Sequence, residues 1–119
     1  MATPIEWEPR THARLMARVA AVPPQHAAER WPDLVAAHVL GLGRWQSHAD
    51  VHLWMLRTAW AERDADEMVG QLWRLALLPL AHLSGLLPWG NTGRSDVTVW
   101  RKMPVPEAVQ QRIDAARRP

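Results

Sequence analysis

From Pro9 onward the apolar residues recur at intervals of three and four, and no window alternates strongly enough to require a strand. That period confines the chain to an all-α fold. Prolines and glycines then cut the pattern into pieces. A first helix is expected from Pro9, through Leu15, Met16 and Val19, to a break at Pro23 and Pro24. The next segment, about Gln25 to Leu40, contains Pro32, which either starts a fresh helix after Trp31 or kinks a longer one, and Gly41 and Gly43 end it. Ser47 followed by Asp50 resembles a capping box, so a third helix is expected from His48 to about Glu62, with Leu53, Leu56 and Trp60 as its buried stripe.

After Arg63 and Asp64, a fourth helix is expected over about Ala65 to Leu83. Asp64, Asp66 and Glu67 sit at its N-terminal end, and Pro79 is expected to bend or shorten it. Residues Gly85 to Met103 read as a loop of nearly twenty positions, and loops that long in a small domain need a reason. Pro104 and Pro106 lead into a last helix, about Glu107 to Ala116. At 119 residues this makes one domain, residues 1–119, with 1–8 and 117–119 expected to fray. The expected architecture is a compact bundle of about five helices with short-linked antiparallel hairpins. A tetratricopeptide-like pair is the second choice, although the full repeat signature is absent.

Composition removes several chemistries. Without cysteine there is no disulfide, thiolate zinc site, iron–sulfur cluster or thiol nucleophile. The net charge is only +2 and the signs are interspersed, because 13 of the 14 bases are Arg and carry the high pI. Arg112, Arg117 and Arg118 cluster without a nucleic-acid motif, so no nucleic-acid partner is expected. The longest apolar run, Leu75 to Ala81, is far short of a membrane span, and MATPIEWEPR lacks the basic start of a signal peptide. A soluble cytoplasmic protein is the expectation. All eight aromatic residues are Trp, which predicts a Trp-rich core, or tryptophans lining an apolar pocket.

His48 and His52 stand four apart and share a helix face at chelating distance. The first turn of a helix disfavours imidazolium at His48, leaving the ring neutral as ligation requires. If the second and third helices are antiparallel across the Gly41 to Gln46 turn, His38 lands beside the pair. Met55 is three residues past His52 and within reach of a soft ion, while Asp50 points to another face. Glu67 and Gln71 form a second four-residue pair, in a supporting place unless the fourth helix packs obliquely. The ligand set suits a transition metal such as Zn, Cu, Ni or Fe; an open fourth position would activate water, whereas a closed site would hold or sense the ion. Gly90, Asn91, Thr92 and Gly93, with Arg94 following, read either as an anion-binding concavity or as a tight turn whose side chains cap helix ends. No nucleophile elbow, catalytic triad order or dinucleotide fingerprint is present.

The motifs His38-Val39-Leu40-Gly41, His48-x-x-x-His52-x-x-Met55, Glu67-x-x-Gly70-Gln71-x-x-Arg74, Gly90-Asn91-Thr92-Gly93 and Met103-Pro104-Val105-Pro106 occur in that order. Over about residues 31 to 110 the chain thereby resembles the small bacterial Asn-Thr-Gly-motif proteins of domain-of-unknown-function family 3703. The family name implies no activity. The resemblance implies that His38, His48, His52, Glu67, Gln71 and the GNTG turn belong to one set. Val35, Leu42 and Arg94 depart from the pattern, where an acid, a Gln and a second Gly often stand. The leading expectation is a histidine-based metal-binding protein, with metalloenzyme activity open. The alternatives are a tetratricopeptide-like interaction module with a protein partner or a second copy of itself, and a pocket for a small molecule or haem.

Overall fold

The computed structural model describes residues 5–118, and residues 1–4 and 119 of the expected frayed ends lie outside them. Five α-helices follow one another: α1 (Pro9–Ala21), α2 (Trp31–Gly41), α3 (Trp45–Ala61), α4 (Ala65–Ser84) and α5 (Glu107–Arg117), with a 3-10 turn over Pro24–Arg30 between the first two. No strand occurs among the described residues. Pro9 opens α1, and Pro32 sits in the first turn of α2, where a missing N–H costs nothing. Pro32 therefore starts a helix and does not kink one. Arg30, itself buried, donates from Nε and Nη2 to the carbonyl of Val22, which ties the 3-10 turn to the end of α1.

Helix α2 is the axis of the bundle. Nine of its residues are buried, and α1, α3 and α5 all pack against it. Leu34, Ala36, Ala37, Val39 and Leu40 meet Leu15, Val19, Val51, Met55 and Ile113 in the main core. Each large side chain buried there contributes roughly 1.5–3 kcal/mol. Because α5 returns onto α1 and α2, the helices close on themselves, unlike an open stack of tetratricopeptide-type pairs. Asp33, in the first turn of α2, receives Arg112 of α5 at 3.0 Å and lies 3.9 Å from Arg18 of α1. With both arginine side chains about half exposed, these pairs fix orientation more than they add stability. Ile5 packs against the core, and Glu8 pairs with Arg117 at 2.8 Å.

Two expectations about α3 are overturned. The helix starts at Trp45, so Ser47 lies inside its first turn, and the N-cap is Arg44 with no side-chain bond. The tight corner after α2, closed by Arg44 N–H on Gly41 O at 3.0 Å, sets the start before any local cap can. The buried face is also different: His48, Val51, His52, Met55, Thr58 and Ala59 point inward. Leu53 and Trp60 face solvent, at 43% and 71% exposure. The inward face is polar because its histidines have partners there, described below. In the same way the Trp-rich core does not form. Trp31 is buried, while Trp45, Trp60, Trp73 and Trp100 are exposed.

Helix α4 is capped as its sequence implies, Asp64 accepting from Glu67 N–H at 3.1 Å, and Gly85 closes it at φ +73°. Pro79 is accommodated without shortening it. The long segment from Gly85 to Pro106 is then held by its own polar groups. Asn91 Nδ2 donates to Thr98 O and Arg101 O, and Met103 N–H to Trp89 O. Gly90, at φ +80°, lies so close to Met103 O that a Cβ there would overlap it at 1.8 Å. No described helix is long and apolar enough to cross a membrane.

Candidate metal centre

The corner between α2 and α3 brings three imidazoles to one point. His38 Nε2 lies 3.1 Å from His48 Nε2 and 3.2 Å from His52 Nε2, and all three rings are buried. Two nitrogens bound at about 2.0–2.1 Å to one tetrahedral ion stand about 3.3–3.4 Å apart, so the observed spacing fits a shared ion with small adjustment.

The outward nitrogens determine what the inward ones can do. His38 Nδ1 is 2.7 Å from Asn91 O, a carbonyl that can only accept, so Nδ1 carries the proton and donates. His52 Nδ1 is 2.7 Å from Gln71 Oε1. The Gln71 amide is oriented by its other end, where Nε2 donates to Glu67 Oε2 at 2.9 Å and Gly93 O at 3.0 Å. Its oxygen must therefore accept, and His52 Nδ1 donates. Both Nε2 atoms are left with bare lone pairs facing each other. Such a contact is repulsive unless a cation lies between them. Protons are poor candidates for that cation. Burial, reinforced by the neighbouring His52 and His48, holds His38 well below the ordinary imidazole range despite its bond to Asn91. Burial likewise pushes His48 down to about 2, with His52 and His82 adding to the effect, and His52 to about 4, against the pull of Gln71.

Outer groups lock the rings. Glu67 would be raised by burial, yet hydrogen bonds from Gln71, Arg94 and Ser95 N–H, with the Arg94 charge, keep it ionised below its ordinary value. The order Arg94, Glu67, Gln71, His52 is thus one continuous hydrogen-bonded chain, the kind of support that raises ligand basicity and fixes a tautomer. Glu67 and Gln71 reach the cluster in this supporting role and do not face its centre. His82, at the end of α4, was not singled out by spacing. Its Nε2 is 2.9 Å from His48 Nδ1 and completes the set of outward partners. Only the fold could reveal it, because its place depends on how α4 crosses α3. Arg74 was also missed as a working residue. It donates to the carbonyls of Gly70, Arg94 and Val97, gripping the loop.

Met55 is fully buried in the apolar core and does not line the site. The geometry also corrects the loop readings. The N–H of Gly93 is taken by Asn91 Oδ1 at 2.8 Å and that of Arg94 by Thr92 Oγ1 at 3.4 Å, so they do not converge on an anion. Nor does Asn91 cap a helix; it gathers loop carbonyls. Arg94 pairs with Glu67 at 2.8 Å and stacks over Trp31 at 3.6 Å. The loop exists to offer Asn91 O to His38 and Gly93 O to Gln71. Gly93, at φ +82°, has no room for a side chain, since a Cβ would sit 2.7 Å from the His38 ring. Beside the rings is a cavity of about 20 Å³, room for about one water and far too small for haem.

Fold and site define a class: an all-helical protein with a buried, thiol-free cluster of three histidines clamped by a glycine-bearing loop. The chain belongs to the family of proteins of unknown function DUF3703, whose pattern matches residues 6–113. No curated protein and no solved structure matches it.

Proposed function

We propose that the protein binds one transition-metal ion through Nε2 of His38, His48 and His52. The observation carrying this reading is the pair of bare lone pairs, on His38 and His52, held 3.2 Å apart by acceptors on their far sides. A cation between the rings turns that repulsion into three bonds. The donor set has no thiolate and no carboxylate in reach of the centre, which suits Zn, Cu, Ni or Fe, with Cu(II) highest in the general affinity order. Three protein ligands leave a fourth position, and the cavity lies beside it. Glu67 and Gln71 support the site from outside, and the GNTG turn and Arg94 hold it closed.

Metal analysis after purification, followed by calorimetric titration of the stripped protein with Zn(II), Cu(II), Ni(II) and Fe(II), tests the reading. One ion per chain is expected, with at least a hundredfold loss of affinity in His48→Ala and His52→Ala. Unchanged uptake in both variants, or no uptake by the parent, removes it.

A further inference from the structure

The cavity beside the three rings has a composition of its own. Leu77, Leu78 and Ala81 of α4 and Val99 and Trp100 of the loop form apolar walls. Among the described residues that line it, Arg74, which is buried, carries the one charge, the histidines being neutral. The three carbonyls that hold Arg74 engage Nη1 and Nη2, and none of the hydrogen bonds among the described residues uses Nε. Among the described residues no carboxylate lines the space, and Glu67, the acid joined to the ligand network, bonds to Gln71, Arg94 and Ser95.

We propose that this cavity is a receptor for a small anion of at most about three non-hydrogen atoms, bound at the open position of the ion. The inference rests on the metal reading above and adds the class of ligand. Size follows from volume, because about 20 Å³ admits one water or a ligand only slightly larger. Sign follows from charge: the ion and Arg74 border the space, and the acids nearest Arg74, Glu67 and Asp96, act on it from outside the lining. Apolar walls strengthen both interactions, since charges that attract weakly in water attract several-fold more strongly where water is excluded. A neutral ligand gains little from this arrangement, and a bulky carboxylate exceeds the volume that the lining leaves.

The test uses the full chain loaded with Cu(II), its copper content measured first, and azide as the probe, with acetate and benzoate as larger anions. Azide is expected to give a saturable charge-transfer band, and benzoate at least a tenfold weaker response. Ala81→Val, which narrows the cavity, and Arg74→Gln, which removes the charge, are each expected to weaken azide at least tenfold. Copper content is measured beside every variant. If Arg74→Gln fails to fold because its loop is released, Ala81→Val still decides the size argument and the parent series still decides the preference. Full copper occupancy with no azide band, or equal response to azide and benzoate, overturns the anion receptor and leaves the metal reading standing. Failure of the parent to retain copper, or any of the other three ions, overturns both.

Discussion

Gln71 shows how much one side chain contributes here. It is fully buried and joins His52, Glu67 and Gly93 O through both ends of its amide. Gln71→Leu leaves two buried groups, His52 Nδ1 and Gly93 O, without partners, each costing about 1–3 kcal/mol where water does not enter, and takes one hydrogen bond from Glu67 Oε2, which keeps Ser95 N–H. We expect a clear drop in denaturant midpoint and a 10- to 100-fold loss of metal affinity, the usual effect of removing a group that orients a ligand. A variant with parental affinity would show that His52 keeps its orientation without Gln71. Gly93→Ala tests the other side of the clamp. The backbone there is at φ +82°, and the added methyl would lie 2.7 Å from the His38 ring. Left-handed strain of about 1–2 kcal/mol and a displaced ring are expected together, read by unfolding and by titration. Unaltered binding would mean that the ring tolerates the shift. The sequence made His38, His48 and His52 legible because helical spacing and one short turn are local facts. It concealed His82, whose partner His48 lies 34 residues away, and the role of Arg74, whose loop partners Arg94 and Val97 lie 20 and 23 residues away.

Among the elements, boundaries set by proline and glycine were readable, since those residues act through their own backbone: Pro9, Pro32, Gly85 and Pro106 all stand where a helix begins or ends. Side-chain capping was less reliable. The Ser47–Asp50 pattern lost to the corner at Gly41–Arg44, because closing α2 onto α3 buries His48, Val51, His52 and Met55, which outweighs a cap of about 1 kcal/mol. The apolar stripe of α3 misled for a related reason. Hydrophobic spacing marks the inward face only where the interior is apolar, and here the interior face carries two histidines whose outward Nδ1 atoms have partners in His82 and Gln71. Helix α4 retains one local defect, Pro79, on an exposed position in mid-helix. An interior proline forfeits the bond to the carbonyl four residues earlier and crowds it, at a cost near 3 kcal/mol in an unadapted helix. Pro79→Ala is expected to raise the melting temperature by several degrees in a differential scan. A lowered value would mean that Pro79 is adapted to its place in α4 and stabilises the fold there.

At the scale of the molecule, the histidine centre makes stability depend on acidity with a definite sign. In the unfolded chain imidazoles titrate near 6.5, whereas in the fold burial holds His38, His48 and His52 below that, His52 at about 4 and His48 at about 2. Above pH 6.5 both states are unprotonated at these rings and the effect vanishes. As pH falls below 6.5 the unfolded chain takes up protons that the fold refuses, so stability is lost, by up to about 1.4 kcal/mol per pH unit for each ring. Glu67, held below the ordinary carboxylate range, adds loss of the same sign at lower pH. Three rings acting together would consume a domain's usual margin of about 5–15 kcal/mol within a few pH units. Thermal melts of metal-free protein from pH 8 to pH 4 should therefore be flat above pH 7 and fall steeply between pH 6.5 and pH 5. A saturating ion, which binds the folded rings and competes with protons, should move that fall to lower pH by an amount that grows with free ion concentration. Metal-free melts that stay level down to pH 5 would mean that the rings accept protons in the folded state, and that the space between them is not held for a cation.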